Sequence, residues 1–380
     1  MSLVFTLASR NLFHDRVRFV AALIGIILSV VLVMVQIGLY FGFSRMVTIM
    51  IDHAAADLWV VPNGVRYFED LPVLNAGMQS RLLGIDGVAK VAPLVAGFSA
   101  WKNPDGPMIP IFVVGSNFSV GGLHPWNVVE GSADSLDKPG TVAIDRVYYD
   151  RLGVKNVGAS TQIHGHPVTV GAITNGIRSL TMMPYIFSAL GTARSLIGLS
   201  PGSVSYFLVS VKSGTNIDKV RQNVASNLSS IAKVQVLTPD QFRDQSRSFW
   251  LFETGAGVAL VAGAVLAIIV GTAIVALTLY SSTKDHLYEF ATLRAMGADN
   301  HYIYTVIIYQ ALLNAFIGFA VAALIGTALV HFTANSALQI VITDRLLLEI
   351  FLLTIAMCIV SALAAILRVI RLDPVVVLSR

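Results

Sequence analysis

The stretch Gly255–Ser281, GAGVALVAGAVLAIIVGTAIVALTLYS, is one unbroken apolar run. It holds no Asp, Glu, Lys or Arg. A hydrocarbon core of roughly 30 Å takes about 20 helical residues at about 1.5 Å each, so this run is long enough to cross one. Three further runs resemble it: Phe19–Phe43 upstream, and Val306–Val330 and Leu346–Leu367 downstream. The only charged residue among those three is Glu349, near the start of the last. The order along the chain is one span, a long polar block, then three spans. The fold class expected is an α-helical membrane protein of four transmembrane helices, one plus three, with a large α+β extracytoplasmic domain.

The composition agrees. Of 380 residues 55% are hydrophobic and 13% charged, against about a quarter charged in a soluble domain. Met1–Arg18 does not read as a secretory signal peptide, because it is long and mixed and no small-residue cleavage site follows the apolar run; the first span is expected to stay. The net charge of +4 is a topology signal. Arg10, Arg16 and Arg18 precede span one, Lys284 and Arg294 lie between spans two and three, and Arg368, Arg371 and Arg380 follow span four, whereas the loop before span four holds only Arg345. The positive-inside rule places both termini and the 282–305 loop in the cytoplasm and the large block outside. The lipid bilayer accounts for the basic balance, and no nucleic acid is called for. The one cysteine, Cys358, lies in span four; it makes no intrachain disulfide and reads as a small packing residue.

The expected boundaries are a cytoplasmic amphipathic helix over 1–18, a span over 19–46, the outer block over 47–248, a span over 249–281, a cytoplasmic loop over 282–305, a span over 306–330, a short outer loop over 331–345, a span over 346–367 and a cytoplasmic tail over 368–380. Leu3, Leu7, Val4, Ala8 and Leu12 carry the apolar periodicity of the first segment. In the outer block, 56–62 (ADLWVVP), 88–101, 108–114, 141–144, 161–164, 167–173, 204–212 and 233–237 read as strands, and 76–83 and 216–230 as helices. The turn-rich texture after Asn117 suggests two lobes: a split α/β lobe over 47–115 and 204–248, and a β-rich lobe over 116–203 inserted into it.

Gly255, Ala259, Gly263, Ala267 and Gly271 recur every fourth residue of span two, and Gly318, Ala322 and Gly326 do so in span three. Small faces let membrane helices approach closely. Packing within one subunit and a homodimer seam explain these stripes equally well.

The sharpest local signal is the loop Ser282–Asn300, STKDHLYEFATLRAMGADN. Leu287, Phe290, Ala291, Arg294 and Ala295 fall at helical spacing, Gly297 is placed to end a helix in a left-handed cap, and Arg294 complements its dipole. Such a helix offers Tyr288, Glu289 and Thr292 to a partner. The segment Leu293-Arg294-Ala295-Met296-Gly297-Ala298 resembles the LRAxGA element of FtsX/MacB-type ABC transporter permeases. Ala8-Ser9-Arg10-Asn11-Leu12 is similar to that family's leading helix, and Asp373-Pro374 with Val375–Leu378 is similar to its DPxxxLR ending, interrupted here by Ser379. The wording at Ala56–Val61 and Tyr288–Leu293 leans toward the DevC branch. The resemblance covers the whole chain.

The resemblance implies a MacB/FtsX-like, type VII ABC fold and a homodimer whose ATP-driven motion is passed to the outer domain, a mode called mechanotransmission. A separate ABC ATPase would bind through Tyr288, Glu289, Leu293, Arg294, Met296 and Gly297. It further implies a periplasmic adaptor (membrane fusion protein), an outer-membrane duct and a bacterial inner-membrane location. FtsX-like activation of a cell-wall hydrolase and lipoprotein release are rival readings within the same fold. A P-loop needs G-x-x-x-x-G-K-[ST], and no Gly-Lys pair occurs in the sequence. This chain is therefore expected to bind no cofactor itself, ATP and Mg entering through the partner ATPase.

Catalytic chemistry is thin. There is no HExxH. His164-Gly165-His166 offers two imidazoles in a row, read either as part of a metal site or as a polar turn. Asp145 and Asp150 read as solvated surface charges. Gln36 in span one reads as an interhelical hydrogen-bonding group. Tyr67, Phe68 and Trp101 read equally as a surface patch or as core.

Overall fold

The computed structural model describes residues 16–71, 73–104, 106–285, 300–333 and 339–370. The chain divides into two compact units: a helix bundle and, from Phe43 to Ala256, a sheet unit.

In chain order the elements are α1 (Arg16–Asp52), β1 (Leu58–Pro62), β2 (Leu74–Asn75), α2 (Met78–Leu83), β3 (Val88–Lys102), β4 (Met108–Ser116), β5 (Val128–Gly131), β6 (Thr141–Asp145), α3 (Tyr149–Leu152), β7 (Ser160–Ile163), β8 (His166–Thr174), β9 (Tyr185–Ala189), α4 (Leu190–Ile197), β10 (Ser203–Val204), β11 (Tyr206–Val211), α5 (Ile217–Ser229), β12 (Val234–Leu237), α6 (Pro239–Arg247), α7 (Ala256–Asp285), α8 (Asn300–Thr333) and α9 (Asp344–Ile370). A π-helical turn at Ser248–Glu253 precedes α7. The span expected over 249–281 therefore starts later as a helix, after Gly255 has turned the backbone with a left-handed φ of 78°.

The sheet unit is built on one ten-stranded sheet, ordered β12-β1-β11-β3-β4-β9-β6-β8-β5, with β7 pairing β3 and β8. The strands of 47–115 and 204–248 fill one end and those of 116–203 the other, joined by parallel β4–β9 pairing from Phe112↔Tyr185 to Ser116↔Ala189. One apolar layer runs through both ends, from Leu58 and Val60 to Ile144 and Ile186. The two expected lobes are thus halves of a single sheet with a shared core, because β9 and α4, unrecognised in the sequence, knit them together.

Both sheet faces are covered, which explains why β1 reads as an unbroken apolar run: Leu58 and Val60 enter one layer and Trp59 and Val61 the other. Helices α2, α4 and α5 supply Met78, Leu82, Ala193, Leu196, Val220, Val224 and Leu228 to the first layer. The second takes Met50 and Ile51 from the last turns of α1 and Phe242 from α6. The Asn216 side chain caps α5 by accepting from the Lys219 amide. A reciprocal Thr238–Gln241 capping box starts α6, with Pro239 at its first turn.

In the bundle, α1, α7, α8 and α9 are each long and apolar enough to cross a membrane. Their exposed faces carry Leu28, Leu266, Phe316 and Leu363, an outward apolar surface that suits lipid. Close approach to α1 is set by small residues: a side chain on Gly263 would strike Gln36, on Gly271 Ser29, on Gly318 Ile26 and on Gly326 Met34. Ala267 is buried, Ala259 is exposed and Gly255 stands outside the helix. Inside the subunit, then, α1 takes up Gly263 and Gly271 of the α7 stripe, and Ala259 faces outward. The bundle buries two neutral amides one turn apart, Gln310 and Asn314, and among its described residues no Asp, Glu, Lys or Arg.

Candidate functional site

The residues expected to couple to an ATPase, Tyr288, Glu289, Leu293, Arg294, Met296 and Gly297, lie outside the described residues, as do the segment up to residue 15, expected to be an amphipathic helix, and the tail from 371. The site that the described residues build is in the sheet unit.

A narrow cleft, about 10 Å³ in volume, is lined by Met46, Val47 and Met50 of α1, by Tyr67, Phe68 and Glu69 of the β1–β2 connection, by Leu180 and Tyr185, and by Trp250 of the π turn. Its walls are mostly apolar, with one acid and the two tyrosines Tyr67 and Tyr185 among them. Glu69 is only 7% exposed. An isolated buried carboxylate is costly unless donors surround it. Here Ser179 Oγ donates to Glu69 Oε1 at 2.8 Å, Thr181 Oγ1 donates to Oε2 at 3.3 Å, and the Tyr185 hydroxyl donates to Oε1 as well. No Lys, Arg or His among the described residues forms an ion pair with it. Among the described residues, hydroxyl groups hold this charge.

That environment acts on Tyr185. Burial, then the Glu69 charge, push its phenol well above 10.0, and burial does the same to Tyr206, whose hydroxyl donates to Phe68 O at 2.7 Å. A raised native pKa means stability that is complete below about pH 10 and lost as pH rises toward the native value. Tyrosinate absorbance is expected to show these two phenols silent until the sheet unit unfolds. Their ionisation in the folded protein near pH 10 would remove the buried network.

The aromatic neighbours link the cleft to the chain leading into α7. Tyr67 stacks on Phe249 with centroids 4.7 Å apart, and the Arg66 guanidinium lies 4.2 Å over the same ring while pairing Glu253 at 3.3 Å.

Several sequence expectations change here. Asp145 is not a surface charge: it is 1% exposed and accepts from the amides of Val147 (3.0 Å) and Ile177 (2.8 Å) and from Thr174 Oγ1 (2.9 Å). Asp150 is exposed, and the hydrogen bond and charge of Lys155, 2.8 Å away, lower its pKa. Phe68 and Trp101 are core, whereas Tyr67 is half-buried. His164 and Gly165, both at positive φ, form the two-residue turn of the β7–β8 hairpin, with Ile163 paired to His166, as a type I′ turn requires. No group of three or more His, Cys, Asp or Glu among the described residues is placed to hold a metal. Gly198-Leu199-Ser200-Pro201-Gly202 matches the G-x-S-x-G pattern, but it leads from α4 into β10, the reverse of the strand–turn–helix a nucleophile elbow needs. The sequence reading overlooked Glu69, and only the chain's return at 179–185 reveals it.

The architecture defines a class: a four-span membrane protein carrying an α+β domain between spans one and two, with no catalytic constellation among its described residues. A family model for the MacB-like periplasmic core domain matches residues 19–227, and one for the FtsX-like permease C-terminal segment matches 261–374. The chain belongs to the FtsX/MacB-type ABC transporter permease family. The matched segments are those of the permease part of an ABC transporter and not of its nucleotide-binding ATPase. Similar solved structures include the periplasmic region of MacB from Actinobacillus actinomycetemcomitans (15% identity, TM-score 0.39, covering 51% of this chain and 94% of that one). The extracellular domain of the noncanonic ABC-type transporter YknZ from Gram-positive bacteria is another (15% identity, TM-score 0.36, 48% and 99%). A domain of a putative permease protein from Porphyromonas gingivalis is a third (14% identity, TM-score 0.32, 48% and 88%). A search of curated proteins finds no match.

Proposed function

We propose that this chain is the permease subunit of a DevC-like exporter in the bacterial inner membrane, with both termini cytoplasmic. Two copies bind a separate ATPase, and its ATP-driven closure moves the 284–297 segment, so that motion reaches the outer domain and drives export. A periplasmic adaptor and an outer-membrane duct complete the path. The observation that carries the reading is the union, in one chain, of an FtsX-like permease segment and a MacB-like periplasmic core domain without any Gly-Lys pair for a P-loop. The unbroken 37-residue α1 supports transmission of motion, since its last turns bury Met50 and Ile51 in the sheet unit's core.

The test is co-purification. Gly297→Val removes the residue suited to a left-handed cap, and Leu293→Asp puts a charge on the apolar face. Both variants are expected to reach the membrane yet recover the ATPase at roughly a tenth of the parent level or less, as a loss of about 1.4 kcal/mol or more in binding would give. Undiminished recovery in both would falsify the assignment of 284–297 as the coupling segment. Adaptor in the same pull-down supports export; a cell-wall hydrolase in its place moves the reading to signalling.

A further inference from the structure

We propose that Glu69 is a mechanical latch, through which the connection between β8 and β9 follows the outer end of α1 and the π turn before α7; this rests on the transmission of motion proposed above. Three neighbours in sequence point to two sides. Arg66 and Tyr67 engage the π turn, through Glu253 and Phe249. Glu69 engages Ser179, Thr181 and Tyr185 on the opposite wall of the cleft. The cleft is otherwise lined by side chains such as Met46, Val47, Met50 and Leu180, whose apolar contacts are non-directional and allow sliding. The carboxylate supplies the directional link.

The far wall is tied to its neighbours at three points. Asp145 fixes its start at the Ile177 amide, the Tyr148 hydroxyl accepts from the Ser179 amide at 3.4 Å, and Arg151 donates to Met182 O. It leads straight into β9, whose Tyr185 pairs with Phe112 of β4. A buried charge that finds no ionic partner among the described residues adds little net stability compared with an apolar side chain of similar volume. Its value here is register: it fixes which part of the β8–β9 connection moves with the 66–70 loop.

The experiment is hydrogen–deuterium exchange on the full chain in nanodiscs, with and without its ATPase and ATP. Without the ATPase, Glu69→Ala is expected to speed exchange across 177–185 about tenfold while β1 and β11 stay protected. Glu69→Gln should restore the parent rate to within about threefold, because its carbonyl still accepts and hydroxyls can turn to accept from its amide. The pair Ser179→Ala with Thr181→Val removes donors from the other side and should match Glu69→Ala; it decides the matter if Glu69→Ala exposes every strand. With ATPase and ATP, the parent protein should respond in both 46–50 and 177–185, and Glu69→Ala in 46–50 alone. Unchanged exchange at 177–185 in Glu69→Ala and the pair, or an ATP response at 177–185 that survives both, overturns the latch. A parent protein that responds at 46–50 but not at 177–185 also overturns it and leaves the exporter reading standing. No ATP response anywhere outside the ATPase contact overturns the exporter reading itself.

Discussion

Trp59→Ala is expected to lower the melting temperature of the sheet unit by about 10 °C, whereas Trp59→Phe shifts it by only a few degrees. Trp59 is fully buried. It meets Phe68 at 6.2 Å, Tyr206 at 5.6 Å and Phe242 at 5.2 Å between ring centroids. It thus joins β1, the 65–70 loop, β11 and α6 in one layer. Truncating a large aromatic side chain in such a place costs about 3–5 kcal/mol in lost burial and residual cavity. For a unit of this size each 1 kcal/mol is worth about 2–4 °C. The contrast with phenylalanine carries the test. Trp59 Nε1 finds no hydrogen-bond partner among the described residues, so removing it sacrifices no bond and relieves a buried unsatisfied donor. Calorimetry of the detergent-solubilised chain reads both variants. Equal shifts for alanine and phenylalanine would show that the indole volume is not what holds this layer.

The same residue shows how the sequence disclosed the fold. The run Ala56–Pro62 was legible as a strand because apolar side chains cover both of its faces and Pro62 halts it; the observed strand is Leu58–Pro62. The spans were legible from length alone, and α5 from Asn216 ahead of an apolar repeat. Other elements left weaker traces. For β9, a five-residue run following Met183-Pro184, nothing local separates a central strand from a loop; its parallel pairing with β4 is a long-range fact. The start of α6 did carry a signal, Thr238-Pro239-Asp240-Gln241, and its capping box could have been read. The burial of Asp145 could not, because its partners Thr174 and Ile177 lie about thirty residues away. Glu69 was hidden for the same reason: its three hydroxyl donors all come from 179–185. Local pattern gives elements, and sites built by chain return need the fold.

Span one held a further signal, and it sets the other large effect. Gly38 and Gly42, four residues apart on α1, form the small-residue spacing that lets a second backbone approach. A Cβ on Gly42 would sit 2.0 Å from the carbonyl oxygen of Gln339, and one on Gly38 would sit 2.5 Å from Ile340 Cγ2. Through this approach the Val341 amide donates to Gly38 O at 3.1 Å, and α9 starts three residues later. The atom in the way at Gly42 belongs to backbone, so no rotamer change can make room. Gly42→Leu must push 339–342 off α1 and break the Val341 bond. Overpacking of this kind costs about 1–3 kcal/mol and more when the obstacle is rigid, and the amide of the half-buried Val341 loses its partner as well. The expected result is a chain that elutes from size exclusion largely aggregated, with the remaining monodisperse fraction melting many degrees below the parent. Leu28→Ala serves as the comparison, since Leu28 is 64% exposed on the apolar outer face of α1 and its truncation leaves helix packing alone. If Gly42→Leu eluted and melted like Leu28→Ala, then 339–342 would not dock on α1, and the packing that fixes the start of span four would have to be redrawn.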